Sequence, residues 1–503
     1  MASLLSRLKR VKSLEELRAS ADAPRADKVE RRLGLKDLVG IGIGAVVGTG
    51  IYVTAGMAAS GSTGYLAAGP GVLLSFVLVA VASFFCAMCY SEFASMIPIA
   101  GSAYTYAYST MGEFVAWMLG WYSTLEYAIS NVAVAISWGS YFEALLRGFG
   151  IHMPEWLMHS AAMATPEMIA QAPHWGDWPV MFNLPAMVIT FLLTIVLVKG
   201  VRESASLNDF LVVLKLLVIL FVIGVAAIHV SPDNWTPFLP NGFVGVQAGA
   251  ALVFFCYVGF DAVSTVAEET VNPERNIPLG MIWTLVISTI LYMGVALVLT
   301  GVVPYQQLGC ADPLAYIFEY LHMTWASIVV SFGALVAMTA VLLVFQLGQT
   351  RIFMTMARDG LLPKFCETIH PKYKTPHITT ILCGVVVAIL SGFFDISIIL
   401  ELCNMGTLMV MMVVAVGIIV LRRSRPDAPR PFRTPLVPLF PLLGILCCLV
   451  LVAGMPVSTW VNFALWTLAG AVIYFCYGLR HSHLEAQGTD ASEATPHPVS
   501  PAQ

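Results

Sequence analysis

Six glycines in one apolar stretch constrain this chain more than any other feature. Residues 38–59 are long and apolar enough to cross a bilayer, yet they carry Gly40, Gly42, Gly44, Gly48, Gly50 and Gly56. Each glycine inside a helix costs about 1 kcal/mol relative to alanine, so a segment that had only to span would use Leu and Ala. Gly44-Ala45-Val46-Val47-Gly48-Thr49-Gly50 reads instead as a helix built to come apart at mid-membrane. Backbone N–H and C=O groups freed there cost several kcal/mol each in hydrocarbon unless something satisfies them. In carriers, half-helix ends of this kind face the charged groups of the cargo.

The rest of the chain is built for the same environment. Of its 503 residues 58% are hydrophobic and only 11% are charged, with a mean hydropathy of +0.81. That composition excludes a soluble domain and indicates a polytopic helical membrane protein. Apolar segments long enough to span lie at roughly 37–59, 70–97, 113–146, 185–200, 207–229, 243–268, 279–303, 324–350, 376–394, 397–421, 436–455 and 459–479, which makes twelve.

Lys and Arg test that count. The even-numbered loops and both tails hold 24 of the 26 basic residues; the odd-numbered loops hold only Arg147, and Lys215 sits inside a span. By the positive-inside rule the crowded side is cytoplasmic, with both termini inside. A missed or extra span would scramble the segregation. The basic residues run on to Lys36 with no apolar core and cleavage site before the first span, so no signal peptide is expected. Outside loops offer only Cys310, which excludes an exterior disulfide framework.

The expected organisation is a basic cytoplasmic segment at 1–36, a ten-helix core at 37–421, two additional transmembrane helices at 422–480 and a disordered cytoplasmic tail at 481–503. The long outside loop, roughly 147–184, holds His152, His159 and His174, whose spacing matches no metal motif; no metal and no cofactor are expected. A five-span unit followed by its copy is necessarily inverted. The sixth span carries Val258-Gly259-Phe260-Asp261, a weak echo of Val47-Gly48-Thr49-Gly50 in the first. A mid-span glycine in both, in opposite orientations, supports a five-plus-five inverted repeat with Gly259 at the second discontinuity.

Ionisable residues deep in a span cost on the order of 3 kcal/mol on insertion scales. Glu126 lies about 20 Å along the third span and shares a polar stripe with Ser123, Tyr127 and Ser130. Lys215 has no partner in its own helix, and its ammonium is expected to point at the unwound backbone of the first span and satisfy orphan carbonyls there. Asp261 reads as a polar partner for the sixth-span discontinuity.

Several chemistries drop out. The glycine run has no Lys-Ser/Thr after it and no strand before it, so it is not a phosphate loop. All ten histidines fall in loops, tails or span ends, against a histidine-based intramembrane enzyme. No repeated filter loop points to a channel.

The chain resembles the amino acid–polyamine–organocation superfamily, within it the bacterial permeases related to the cationic amino acid transporters. The matching residues are 42–51 of the first span, Ser102-Ala103-Tyr104-Thr105-Tyr106, Phe260-Asp261-Ala262-Val263-Ser264-Thr265, Ala267-Glu268-Glu269, Asn272-Pro273, Gly348-Gln349-Thr350-Arg351 and Arg358-Asp359-Gly360-Leu361-Leu362-Pro363. The resemblance covers roughly 30–480. It implies an all-α membrane protein of twelve transmembrane helices, a LeuT-like 5+5 inverted repeat plus two C-terminal helices. It implies a cargo carboxylate at the amides of Thr49 and Gly50, and a cargo ammonium at the carbonyls of Val46, Phe255, Cys256 and Val258. Lys215 matches a lysine standing where sodium-coupled relatives hold sodium, which implies proton coupling or exchange; Glu126 matches an acidic position near the pocket. Phe345 matches a pocket-facing position, where a bulky apolar ring disfavours long cationic side chains.

The expectation is a secondary transporter of the cytoplasmic (inner) membrane. It takes small or medium neutral L-amino acids, probed against a cationic transporter, an exchanger and a non-transporting sensor. Its partners would be the free amino acid, protons and the bilayer, with an unidentified small membrane protein left open and no nucleic acid.

Overall fold

The computed structural model describes residues 8, 10–12, 32–62, 64–97, 102–161, 164–200 and 205–483. Most of the expected basic segment 1–36 and nearly all of the expected tail 481–503 lie outside the described residues.

In hydrocarbon a backbone must satisfy its polar groups within the segment, and helices do so. Among the described residues seven helices are long and apolar enough to cross a membrane: Gly69–Met96, Phe210–Ala227, Gly242–Ser264, Pro273–Val302, Thr324–Arg358, Ile396–Ser424 and Val457–His481. Leu35–Val46 with Gly50–Ser60 qualifies as an eighth only as a pair bent by 42°. Three shorter apolar helices follow the same composition: Leu184–Lys199, His377–Phe393 and Leu439–Ala453. One further helical run, Glu113–Thr124, a π-turn at Leu125–Ile129, and Ser130–Gly148, carries Glu113, Glu126, Glu143 and Arg147 and is correspondingly more polar. These helices lie where the twelve apolar segments lie, within a few residues at most ends. The exceptions are Pro273–Val302, which starts earlier than expected, and Thr324–Arg358, which runs further.

The long loop after Gly148 departs from the all-α pattern. His174–Trp175 and Trp178–Pro179 pair there as a minimal antiparallel ladder. Lipid-facing sides of the helices are apolar and exposed, as at Val213, Leu217 and Leu220 or Leu442, Leu446 and Leu449. The chain entering the first helix is tied to the chain leaving the sixth region: Arg32 N and Leu33 N donate to Glu269 O at 2.9 and 3.0 Å, and Val271 N donates to Leu33 O at 2.9 Å. Two interrupted helices thus share one anchor, and their interruptions meet in the buried interior.

Candidate functional site

The first interruption follows from the glycine run. Leu35–Val46 is helical; Val47 is extended (φ −83°, ψ 95°); the chain resumes as a π-turn at Gly50–Thr54 and a short helix at Ala55–Ser60. Gly48 lies in the gap, but Gly44, expected at the discontinuity, stays inside the helix. The reason is Lys215. Its ammonium, 1% exposed, donates to Gly44 O at 2.7 Å and Val47 O at 3.2 Å. The last carbonyls of a helix have no partner within it, and a cation suits the negative end of the helix dipole. With those groups satisfied, the helix persists to Val46.

The second interruption is longer. The helix Gly242–Val253 tightens into a 3-10 turn at Phe254–Tyr257, Val258 is extended (φ −61°, ψ 132°), Gly259 sits at φ +101°, and a short helix follows at Ala262–Thr265. Any other residue at 259 would be strained, and its Cβ would lie 3.2 Å from Phe345 Cε1. Here too a distant side chain covers the ending half-helix: Asn404 Nδ2 donates to Ala251 O at 2.8 Å and Leu252 O at 3.4 Å.

The two gaps touch. A Cβ on Gly50 would lie 2.5 Å from Cys256 Cα and 2.9 Å from Cys256 N, so only glycine admits this approach. Thr54 Oγ1 returns to Gly50 O at 2.6 Å and lies 3.3 Å from Cys256 Sγ. Tyr292 Oη lies 2.9 Å from Val46 O and 3.0 Å from Cys256 O. The Phe255 carbonyl accepts from Val258 N at 3.3 Å. The Thr49 hydroxyl, in a residue 1% exposed, has no hydrogen-bond partner among the described residues. One place therefore offers helix C-terminal carbonyls, helix N-terminal amides and an unpaired hydroxyl. Opposite partial charges at adjacent half-helix ends suit a zwitterion.

Phe345, 3% exposed, packs edge-on against Tyr127 at 5.8 Å and against Gly259. Tyr127 Oη donates to Asp261 Oδ2 at 3.2 Å. Glu126 and Asp261, each 2% exposed, lie close enough for their buried carboxyl groups to act on one another. Through Tyr127 the helical run that carries Glu126 is joined to the second interruption.

Val46, Thr49, Gly50, Phe255, Cys256, Val258, Gly259 and Phe345 thus gather at the interruptions, with Lys215 bonded at the first and Glu126 beside Asp261 of the second. Sequence reasoning missed Tyr292 and Asn404. A lone amide in the apolar stretch around Asn404 was a signal that could have found it. Tyr292, one tyrosine of 17, carried none.

Polar ties also hold the periphery. Arg147 pairs with Asp312 at 2.7 Å and reaches Glu319 at 3.6 Å. Burial pushes the Asp312 carboxyl up from 3.8 to about 6, against the opposing pull of Arg147. At the other end Lys12 pairs with Asp359, which also accepts from Tyr104 Oη at 2.6 Å. His159 of the long loop, expected to join no ligand set, meets Glu143 and Glu155 with ligand atoms within 4.8 Å of one another. Its helix-borne partner Glu143 is invisible to spacing within the loop.

Comparison with known proteins gives the family of the chain. The family described as amino acid permease matches residues 33–476. The branched-chain amino acid permease BcaP of Bacillus subtilis (strain 168) is 43% identical over 94% of this chain and 98% of its own length. The methylthioribose transporter of the same organism is 41% identical over 95% of this chain and its full length. The vacuolar cationic amino acid transporter 4 of Arabidopsis thaliana is 36% identical over 80% of this chain and 64% of its own length.

Proposed function

We propose a function from one premise: this chain belongs to the amino acid permease family. It is a multi-pass membrane protein whose relatives are permeases and transporters, not enzymes. On that premise it is a secondary active transporter of L-amino acids, small or medium and neutral, in the cytoplasmic membrane, driven by protons.

The observation that carries this reading is the contact of two interrupted helices at Gly50 and Cys256. An amino acid would set its carboxylate against the amides of Thr49 and Gly50 and its ammonium among the carbonyls of Val46, Phe255, Cys256 and Val258. The ring of Phe345 would bound the side-chain space and keep long cationic chains out. The 43% identity to a branched-chain amino acid permease supports a neutral cargo. Lys215, bonded to Gly44 and Val47, stands as a fixed cation at the first interruption. Release of its proton would remove the charge and one donor and weaken its hold on those carbonyls, which links protonation to the state of the first half-helix. Glu126 and Asp261 would link the second interruption to the helix Glu113–Thr124 and its continuation.

In this reading twelve spans form a 5+5 inverted repeat plus two helices, both termini are cytoplasmic, and the first, second, sixth and seventh spans rock against the third, fourth, eighth and ninth. Lys215 and Asn404 support the repeat, because each covers the interrupted helix of its own half from the fifth span of that half.

Uptake into proteoliposomes under an imposed inward proton gradient tests the reading. Accumulation of labelled valine, competed by small neutral amino acids and not by arginine, is expected. Accumulation of arginine would move the chain to the cationic reading. Counterflow that ignores the pH gradient would make it an exchanger. Uptake of methylthioribose alone would overturn an amino acid cargo; this second reading rests on the 41% identity to the methylthioribose transporter.

A further inference from the structure

Tyr292 occupies a point where both interruptions present a carbonyl to the same atom. Its helix, Pro273–Val302, is continuous, and the residue is fully buried. The ring is wedged between Tyr257, edge-on at 5.5 Å, and Phe76, tilted at 5.7 Å. Those contacts aim the hydroxyl at Val46 O and Cys256 O, 2.9 and 3.0 Å away. Val46 is the last residue of its half-helix, and Cys256 lies in the 3-10 turn that closes the other. Both carbonyls are ones a helix end leaves without an internal partner.

The hydrogen count does not balance. A phenol has one O–H proton to share between two carbonyls, whereas an ammonium has three N–H donors and a full charge. We propose that the Tyr292 hydroxyl is a placeholder for the cargo ammonium: it holds the carbonyls of Val46 and Cys256 together and yields them when an amino acid arrives. This inference rests on the amino acid reading above and adds a specificity device to it. A cargo without an ammonium gains nothing by displacing the phenol. A cargo with one replaces a shared neutral bond by charge-assisted bonds, which are roughly twice as strong. The same device keeps the two half-helices in register between transport cycles.

The test is Tyr292→Phe in the purified full chain, titrated with L-valine and with 3-methylbutanoate, the same skeleton lacking the ammonium, using thermal shift as the readout. If the hydroxyl competes with the ammonium, its removal tightens apparent valine affinity by roughly three- to tenfold, the worth of one neutral hydrogen bond. Affinity for 3-methylbutanoate stays where it was. Weaker or unchanged valine affinity overturns the proposal, since the hydroxyl is then a ligand or a simple brace. So does an equal change for both compounds.

Should the Phe variant fail to fold, 3-fluorotyrosine placed at position 292 keeps the shape. Its fluorine resonance is expected to move with valine and not with 3-methylbutanoate, and a resonance indifferent to valine overturns the proposal. If neither valine nor any other amino acid shifts the unmodified protein, the amino acid reading falls and takes this one with it. If valine shifts the unmodified protein and the tyrosine experiments fail, this inference falls alone.

Discussion

The two interrupted helices solve one problem with different fasteners. In the first, the ending half-helix is held by the ammonium of Lys215 on Gly44 O and Val47 O. In the second, the equivalent end is held by the amide of Asn404 on Ala251 O and Leu252 O. Both donors arrive from a distant helix, and both bind carbonyls that the interruption leaves over. The difference is charge. An amide donates at every pH, whereas an ammonium can lose its proton and one of its donors with it. The second helix is therefore fastened permanently and the first conditionally. Under the proton coupling proposed above, the first interruption is the one that would respond to protonation.

The largest effect expected from breaking this pair is steric. Gly50→Val would drive a branched side chain into the Cys256 backbone, 2.5 Å from where the Cβ alone would land, and should abolish valine uptake in proteoliposomes. Gly259→Ala meets side-chain atoms alone, Phe345 Cε1 at 3.2 Å and Ala45 Cβ at 3.3 Å, and no backbone; its positive φ costs about 1–3 kcal/mol, so uptake should fall and survive. Equal loss at both positions would contradict the view that the two gaps join at Gly50.

The fasteners themselves come next. Lys215→Ala removes two charge-assisted bonds and should lower uptake by about tenfold or more, since one such bond alone is worth about that much, and flatten its pH dependence, while lowering thermal stability less. Asn404→Ala leaves two carbonyls uncovered at a cost of about 1–3 kcal/mol. It should lower the melting temperature and leave the pH profile of the remaining uptake in place. Full pH-dependent uptake by Lys215→Ala would remove the conditional fastener.

Phe345→Ala sharpens the comparison from the cargo side. Clearing the ring that packs on Gly259 should raise arginine uptake relative to valine by about tenfold, in the range of one altered apolar pocket contact. No change in that ratio would show that Phe345 does not bound the side-chain space.

The smallest effect lies away from both interruptions, at Asp312. Its carboxyl binds a proton more tightly in the folded protein than in the unfolded chain, so its contribution to stability is complete below 3.8 and is lost as pH rises to about 6. Asp312→Asn should remove that slope, on the order of 1 kcal/mol after solvent screening, from melting temperatures recorded across the window. An unchanged slope would assign it to another group.

Much of this was legible in the sequence because membranes punish ambiguity. Hydrocarbon makes every glycine in the first apolar segment costly, so the run from Gly40 to Gly56 announced the interruption. Lys215 was legible for the same reason: a lone buried cation must find carbonyls. What was illegible depends on contacts between distant segments. The shift of the first gap from Gly44 to Val47 arises because Lys215, 171 residues away, satisfies the Gly44 carbonyl. Tyr292 lies 246 residues from Val46, and no local pattern marks it among the other tyrosines. The proximity of Glu126 and Asp261 likewise brings together two helices whose separate acids gave no sign of one another. The His159–Glu143 contact spans loop and helix and escapes any motif confined to the loop.

Hydrogen–deuterium exchange over residues 46–52 and 254–261, with and without valine, tests the central claim most directly. Amides of both segments are expected to exchange faster than the flanking half-helices, and to become protected together when the amino acid is added. Protection of one segment alone, or of neither at concentrations that saturate uptake, would contradict a cargo held by both interruptions.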